Sequence, residues 1–237
     1  MINCVMLVRD RERLTRQSLE SFVWNSKLDW RLTVVDDCSS GPITLYLDYL
    51  RQAYQERIMV YRCREPVEIV GKLRNIGIAE SEKCWGRGTA LYVSDNDVFF
   101  TEGWDLILHG CLKLRAEGNK PLFKIVGGYR NPYHIPNAIF TLESKAATVR
   151  VANVQAVQGM SQMMDWDTWD KYGPYDADSK GLNQGEDAYI CDRIRADGFN
   201  VGVVQPDIIY HCGRTRTDGL NTGGFELMEP IPNIYME

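Results

Sequence analysis

Apolar positions in the first hundred residues alternate between two periods. Ile2 to Val8 is apolar at nearly every position, the pattern of a strand buried on both faces. Glu12 to Trp24 then sets Leu14, Leu19, Phe22 and Val23 near helical spacing. Arg31 to Val35 predicts a second strand, stopped by the turn formers Asp36-Asp37-Cys38-Ser39-Ser40-Gly41. Pro42 suits a first helical turn, and Ile43 to Tyr54 continues as a helix. Arg57 to Tyr61 and Thr89 to Ser94 predict the third and fourth strands, with a helix over Gly71 to Glu82 between them. Strands separated by helices need crossover connections, so the fold class expected is α/β with a mostly parallel central sheet flanked by helices.

The second half is less regular. Trp104 to Ala116 reads as an amphipathic helix and Leu122 to Val126 as a strand. Gly127 to Val157 carries turns and β-rich runs without a clear crossover helix. A short helix is expected over Asp165 to Lys171, ended by Gly173-Pro174, then a helix over Glu186 to Ala196 and a strand over Val201 to Val204. From Gly213 the chain is rich in Gly, Thr, Asn and Pro, as a loop that orders on binding would be.

Composition narrows the class. The 237 residues, 44% hydrophobic and 25% charged, suit one globular domain. The seven cysteines are odd in number and contain no C-x-x-C pair, which favours reduced thiols over a disulfide framework. Cys212 beside His211 lacks the second soft pair a zinc site would need. No apolar run reaches the length of a membrane span, and the apolar start is too short for a signal peptide, so a soluble, cytoplasmic protein is expected. The net charge of −5 weighs against extended nucleic-acid binding.

In open sheets of this kind ligands bind beyond the carboxyl ends of the strands. Two acidic clusters fall at such ends, Asp36-Asp37 and Asp95-Asn96-Asp97. Two carboxylates one residue apart can converge on a hard divalent cation such as Mg2+ or Mn2+, which commonly bridges carboxylates to substrate phosphates. An isolated cluster of this kind is more often a solvated turn. Glu186-Asp187 at a helix start could likewise be no more than favourable helix-dipole charge.

The order of motifs changes that balance. Val34-Val35-Asp36-Asp37-Cys38-Ser39, Arg74-Asn75-Ile76-Gly77, Asp95-Asn96-Asp97, Gly185-Glu186-Asp187 and Gln205-Pro206-Asp207-Ile208-Ile209-Tyr210-His211 follow one another along nearly the whole chain. Together they resemble the family 2 glycosyltransferases, whose GT-A fold is a Rossmann-like nucleotide-diphospho-sugar transferase domain. The resemblance implies one domain over residues 1–237: a nucleotide-sugar-binding half (1–100), an acceptor and catalytic half (101–212) and a C-terminal lid (213–237). It implies that Asp36 or Asp37 accepts a hydrogen bond from the base, making UDP the leading donor nucleotide. Arg74 and Asn75 belong to the donor site, Arg74 against the base or the phosphates. Asp95 contacts the ribose or the metal and its waters, and Asp97 and His211 ligate Mn2+ or Mg2+. Asp187, with Glu186 beside it, resembles the general base of an inverting transfer. Arg214 and Arg216 would close over the diphosphate.

The chain departs from the family pattern at Arg9-Asp10-Arg11, where a small polar turn is usual. The acceptor is not legible; a saccharide, a lipid-linked or small hydroxyl compound, and a hydroxymethylated DNA base all fit the donor chemistry. A nucleotidyltransferase would want a glycine-rich basic loop after the first strand, which this sequence lacks. His109 reads as structural, His134 as turn packing with a place facing the acceptor as its alternative, and Trp166 and Trp169 as packing the acceptor-side helix, with sugar stacking by one of them as the alternative.

Overall fold

The computed structural model describes residues 1–129, 136–143, 148–178 and 185–212. The strands are β1 (Ile2–Val8), β2 (Trp30–Asp36), β3 (Ile58–Arg62), β4 (Ala90–Asp95), β5 (Val98–Phe100), β6 (Phe123–Gly127), β7 (Ala138–Glu143), β8 (Thr148–Asn153), β9 (Ser161–Met164), β10 (Asn200–Gln205) and β11 (Ile209–His211). The helices are α1 (Glu12–Asn25), α2 (Pro42–Ala53), α3 (Val70–Trp85), α4 (Trp104–Leu112), α5 (Trp166–Tyr172) and α6 (Glu186–Ala196).

A nine-stranded sheet runs in the order β3-β2-β1-β4-β9-β6-β10-β8-β7, and β5 pairs with β11 in a separate two-stranded sheet. The β3-β2-β1-β4 half is parallel throughout. β9 is antiparallel to both its neighbours, β4 and β6, while β8 is antiparallel to β10 and β7. The predicted mostly parallel α/β layer is therefore present, with two strands running against the rest. Those two are short or edge-proximal, and strands paired antiparallel need no crossover helix to announce them.

Every residue of β1 is buried, and its alternate side chains feed two different cores. Cys4, Met6 and Val8 pack with Leu19 and Phe22 of α1, Leu47 of α2 and Trp104 of α4. Val5 and Leu7 pack on the other face with Leu73 and Ile78 of α3, Trp166 of α5 and Ile190 of α6. Gly77 is what lets α3 lie this close: a Cβ there would collide with Val5 and Val35. The helix expected over Trp104 to Ala116 stops at Leu112; Arg115 instead bridges to Pro121, so the chain has turned back toward β6. Among the described residues no helix is long and apolar enough to cross a membrane.

After β1 the chain builds outward through β2 and β3, then returns to place β4 on the opposite side of β1. The carboxyl ends of β1 and β4 thus flank a topological switch point, the usual place for a ligand crevice in such sheets.

Candidate active site

Three strand ends supply the floor of this crevice: Arg9-Asp10-Arg11 after β1, Asp36-Asp37 at the end of β2, and Asp95-Asn96-Asp97 at the end of β4. A fourth wall comes from far along the chain. β11 pairs antiparallel with β5, putting His211 opposite Val98, and the Cys212 amide donates to the Asp97 carbonyl at 2.7 Å. This ladder brings His211 Nε2 to 3.3 Å from Asp97 Oδ2. Tyr129 packs edge-on against the imidazole at a centroid distance of 6.2 Å and limits its orientation.

The Asp97 side chain is about nine-tenths buried, and burial alone would raise its carboxyl. The hydrogen bond and charge of His211, with those of Arg11, outweigh burial and hold it below the ordinary value. Arg11 donates to the same Oδ2 at 2.5 Å. Asn96 between the two aspartates is structural, donating to Thr15 Oγ1 at 2.7 Å.

Asp95 faces the other way. Its Oδ1 accepts from Arg74 at 3.2 Å, and its carboxyl is pushed up by burial, with Arg74 offsetting. Arg74, expected against the base or phosphates, has a side chain only 2% exposed, and the other arm of its guanidinium donates to Glu186 Oε1 at 2.7 Å. Burial would lower the Arg74 pKa, but Asp95 and Glu186 reverse that and keep it charged. The reason it is drawn inward is local: Tyr175 lies beneath it at 5.4 Å, and Gly159 leaves the space, since a Cβ there would collide with the guanidinium. Asn75, expected in the donor site, has its amide engaged at both ends by the Tyr175 backbone, accepting from its N–H and donating to its carbonyl at 2.9 Å each. It fixes the loop that carries Tyr175.

Glu186 and Asp187 open α6 after Gly185, as the spacing predicts. Glu186 is buried against Arg74, and its carboxyl is raised by burial, again with Arg74 offsetting. Asp187 is partly exposed. Its oxygens accept from the Gly159 N–H at 3.0 Å and from the Ala188 N–H at 2.7 Å. These bonds orient the carboxylate and leave further lone pairs for a ligand.

The Asp36 carboxylate closes its own turn, accepting from the Ser39 N–H at 2.9 Å and lying 3.3 Å from Arg62. Asp37 accepts from the Val67 N–H at 2.7 Å and from Arg9 at 3.3 Å. Both are buried, and each has a long, partly exposed arginine over it, Arg62 on Asp36 and Arg9 on Asp37. Arg214 and Arg216 lie outside the described residues, as do His134 and 179–184 of the segment before Glu186. Trp166 is buried in the core, and Trp169 packs on Tyr175 at 5.6 Å.

Would these residues suit a divalent cation? Among the described residues, no three His, Cys, Asp or Glu side chains converge as a ready-made cage. Asp97 Oδ2 and His211 Nε2 do suit one edge of an octahedral ion: adjacent ligands at about 2.1 Å from a metal stand about 3 Å apart. Mg2+ and Mn2+ sites of this type use one or two protein ligands and take the rest from substrate phosphates and water. The donor set fits that description, with Asp95 turned to Arg74 rather than completing a third ligand.

Comparison with solved structures agrees on the architecture. The chain superposes on GalNAc-T7, crystallised with UDP, GalNAc and Mn2+, with a TM-score of 0.68 at 14% identity, covering 91% of this chain and 44% of that one. It superposes on TarS 1-349 of S. aureus with a TM-score of 0.63 at 12% identity, covering 88% and 59%. For the mannosyltransferase PcManGT of Pyrobaculum calidifontis, crystallised with GDP-Man and Mn2+, the values are 0.59, 11%, 85% and 56%. The fold is GT-A. This chain spans about half the length of those proteins. No family model matches the sequence, and no curated protein matches it.

Sequence reasoning missed three contributors: the Arg9-Asp10-Arg11 turn as a bridge, Gly159, and Tyr175. The turn ties Asp37 (through Arg9) to Asp97 (through Arg11). Its charge stood out in the sequence and was the available signal. Gly159 and Tyr175 act through a close approach to Arg74 that no local pattern exposes.

Proposed function

We propose that this chain is a divalent-metal-dependent, inverting glycosyltransferase that moves a sugar from a UDP-sugar to an acceptor hydroxyl. The observation that carries the reading is the Asp97–His211 pair at the β1/β4 switch point, joined through Asp95, the buried Arg74 and Glu186 to the partly exposed Asp187. Solved relatives in fold that hold UDP with Mn2+ or GDP-Man with Mn2+ support it. Asp97 and His211 would hold the ion. When bound, it neutralises charge developing on the departing diphosphate. Asp187 accepts the acceptor hydroxyl's proton as that oxygen bonds to the anomeric carbon, while the bond from that carbon to the diphosphate oxygen breaks and its electron pair leaves with the diphosphate. Base and leaving group on opposite faces give inversion. Asp36 or Asp37 would meet a base N–H. Arg74, Glu186 and Asn75 are positioning residues, holding the halves of the site in register. Arg214 and Arg216 remain candidates for closing over the diphosphate.

The deciding experiment incubates the protein with Mn2+ and a panel of nucleotide sugars and follows release of nucleoside diphosphate. Turnover should require the metal, favour one UDP-sugar and vanish in Asp97→Asn. Full metal-dependent turnover by Asp97→Asn would end this reading. Product analysis against glycan acceptors and hydroxymethylated DNA then identifies the acceptor class.

A further inference from the structure

Arg11 stands where a cation would bind. Its Nη1 is 2.5 Å from Asp97 Oδ2, the oxygen that also lies 3.3 Å from His211 Nε2. Its backbone is held there with some insistence. Asp10 and Arg11 both take left-handed φ values, 53° and 52°, a conformation that persists in consecutive non-glycine residues only where surroundings impose it. The surroundings are visible. The Asp10 N–H donates to Ser39 Oγ at 2.8 Å and its carboxylate accepts from the Ser40 N–H at 2.9 Å, while Thr15 Oγ1 donates to the Asp10 carbonyl at 3.0 Å. The root of Arg11 is thus pinned between the β2 turn and α1. Its side chain is 37% exposed, so a ligand can reach the guanidinium from solvent.

We propose that Arg11 couples metal binding to donor binding. This rests on the metal-dependent transferase reading above. Without nucleotide, the guanidinium holds the cation's place on Asp97 and, carrying like charge, weakens binding of a divalent ion to Asp97 and His211. A donor diphosphate offers oxygens matched to the guanidinium fork. Arg11 transfers to it, Asp97 is released to the metal, and the two ligands enter together. Metal and nucleotide then strengthen each other's binding by the same factor.

Mn2+ titrations followed by electron paramagnetic resonance of the free ion, with and without UDP, test this directly in the full chain. In the wild type, UDP should tighten Mn2+ binding by about tenfold or more. Arg11→Gln should bind Mn2+ alone more tightly than the wild type, again by about tenfold, and UDP should then add a factor smaller than in the wild type by about the same tenfold, leaving the part that phosphate ligation of the ion supplies. Arg11→Lys, which keeps the charge, should resemble the wild type in Mn2+ affinity without nucleotide. Unfolding temperature and circular dichroism establish that each variant is folded, and Arg11→Ala substitutes for Arg11→Gln if the latter is not. Unchanged or weaker Mn2+ binding by folded Arg11→Gln overturns the proposal. Asp97→Asn separates the two levels: if it abolishes Mn2+ binding while Arg11→Gln alters nothing, only the role of Arg11 fails. If Asp97→Asn binds Mn2+ as the wild type does, the metal-site reading itself fails.

Discussion

Asp97 and His211 meet because β11 runs antiparallel to β5, setting His211 opposite Val98 and its Nε2 3.3 Å from Asp97 Oδ2. Two ligands acting on one ion are not independent. Asp97→Asn and His211→Ala should each weaken Mn2+-dependent UDP binding by more than the roughly 10- to 100-fold that loss of an outer-shell partner costs. The double variant should fall short of the product of the two, because the second change removes a ligand from a site already lost. Calorimetry with Mn2+ and UDP gives all four corners of the cycle. Simple multiplicativity would mean that the residues act at separate places.

Asp187 makes a different prediction. Its oxygens are oriented by the Gly159 and Ala188 N–H groups, and the side chain is partly exposed at the start of α6. Asp187→Asn keeps the shape and loses the proton acceptor. Turnover should drop by about 10² to 10⁴, with UDP affinity within a few-fold of the wild type. A matching loss of UDP affinity would assign Asp187 to donor binding instead.

How far the sequence carries one depends on whether information is local. β1, β2, β4 and α6 are strongly patterned segments, and the structure places them within a residue or two of expectation. β5 and β11 are three residues each, too short for periodicity to register, and β9 at four is hardly better. Yet β5 and β11 are what bring His211 to Asp97. The acidic motifs were legible because each ends a strand or opens a helix. The use made of Arg74 was not, since its burial depends on Gly159 and Tyr175, both remote in sequence and uninformative on their own.

Arg74 joins Glu186 at 2.7 Å and Asp95 at 3.2 Å inside the protein. Removing one member of such a buried network strands the other charges, at a cost of about 3–5 kcal/mol. Asp95 is one-third exposed and regains some solvation, which points to the lower end. Arg74→Met should therefore lower the unfolding temperature by roughly 6–12 °C. Arg74→Lys keeps a charge but cannot reach both carboxylates with one planar fork, so it should be intermediate in stability and lower kcat more than it raises KM. Gly159→Ala, by crowding the guanidinium, should reproduce the kinetic defect without removing any charge. Scanning calorimetry and steady-state kinetics check the set, and a fully stable, fully active Arg74→Met would remove Arg74 from any positioning role.

The acid limb of stability reports on Asp97. His211 and Arg11 outweigh burial there and hold the carboxyl below its ordinary value. A carboxyl that is more acidic folded than unfolded binds protons less readily in the native state. It contributes stability that is fully present above the unfolded pKa of about 3.9 and is lost as pH falls through the lower folded value. Asp95 and Glu186 have the opposite sign. Burial raises both against the pull of Arg74, so their ionisation as pH climbs above about 4 favours the unfolded chain. Those two groups remain in Asp97→Asn, so the difference between wild type and variant reports Asp97 together with the smaller relief of Asp95, which the Asp97 charge helps to raise. The wild type should be the more stable at about pH 6, and the gap should hold to about pH 4 and narrow below it. Unfolding temperatures across that range measure it. A gap that stays constant or widens below that point would show that Asp97 is not kept ionised by its two partners.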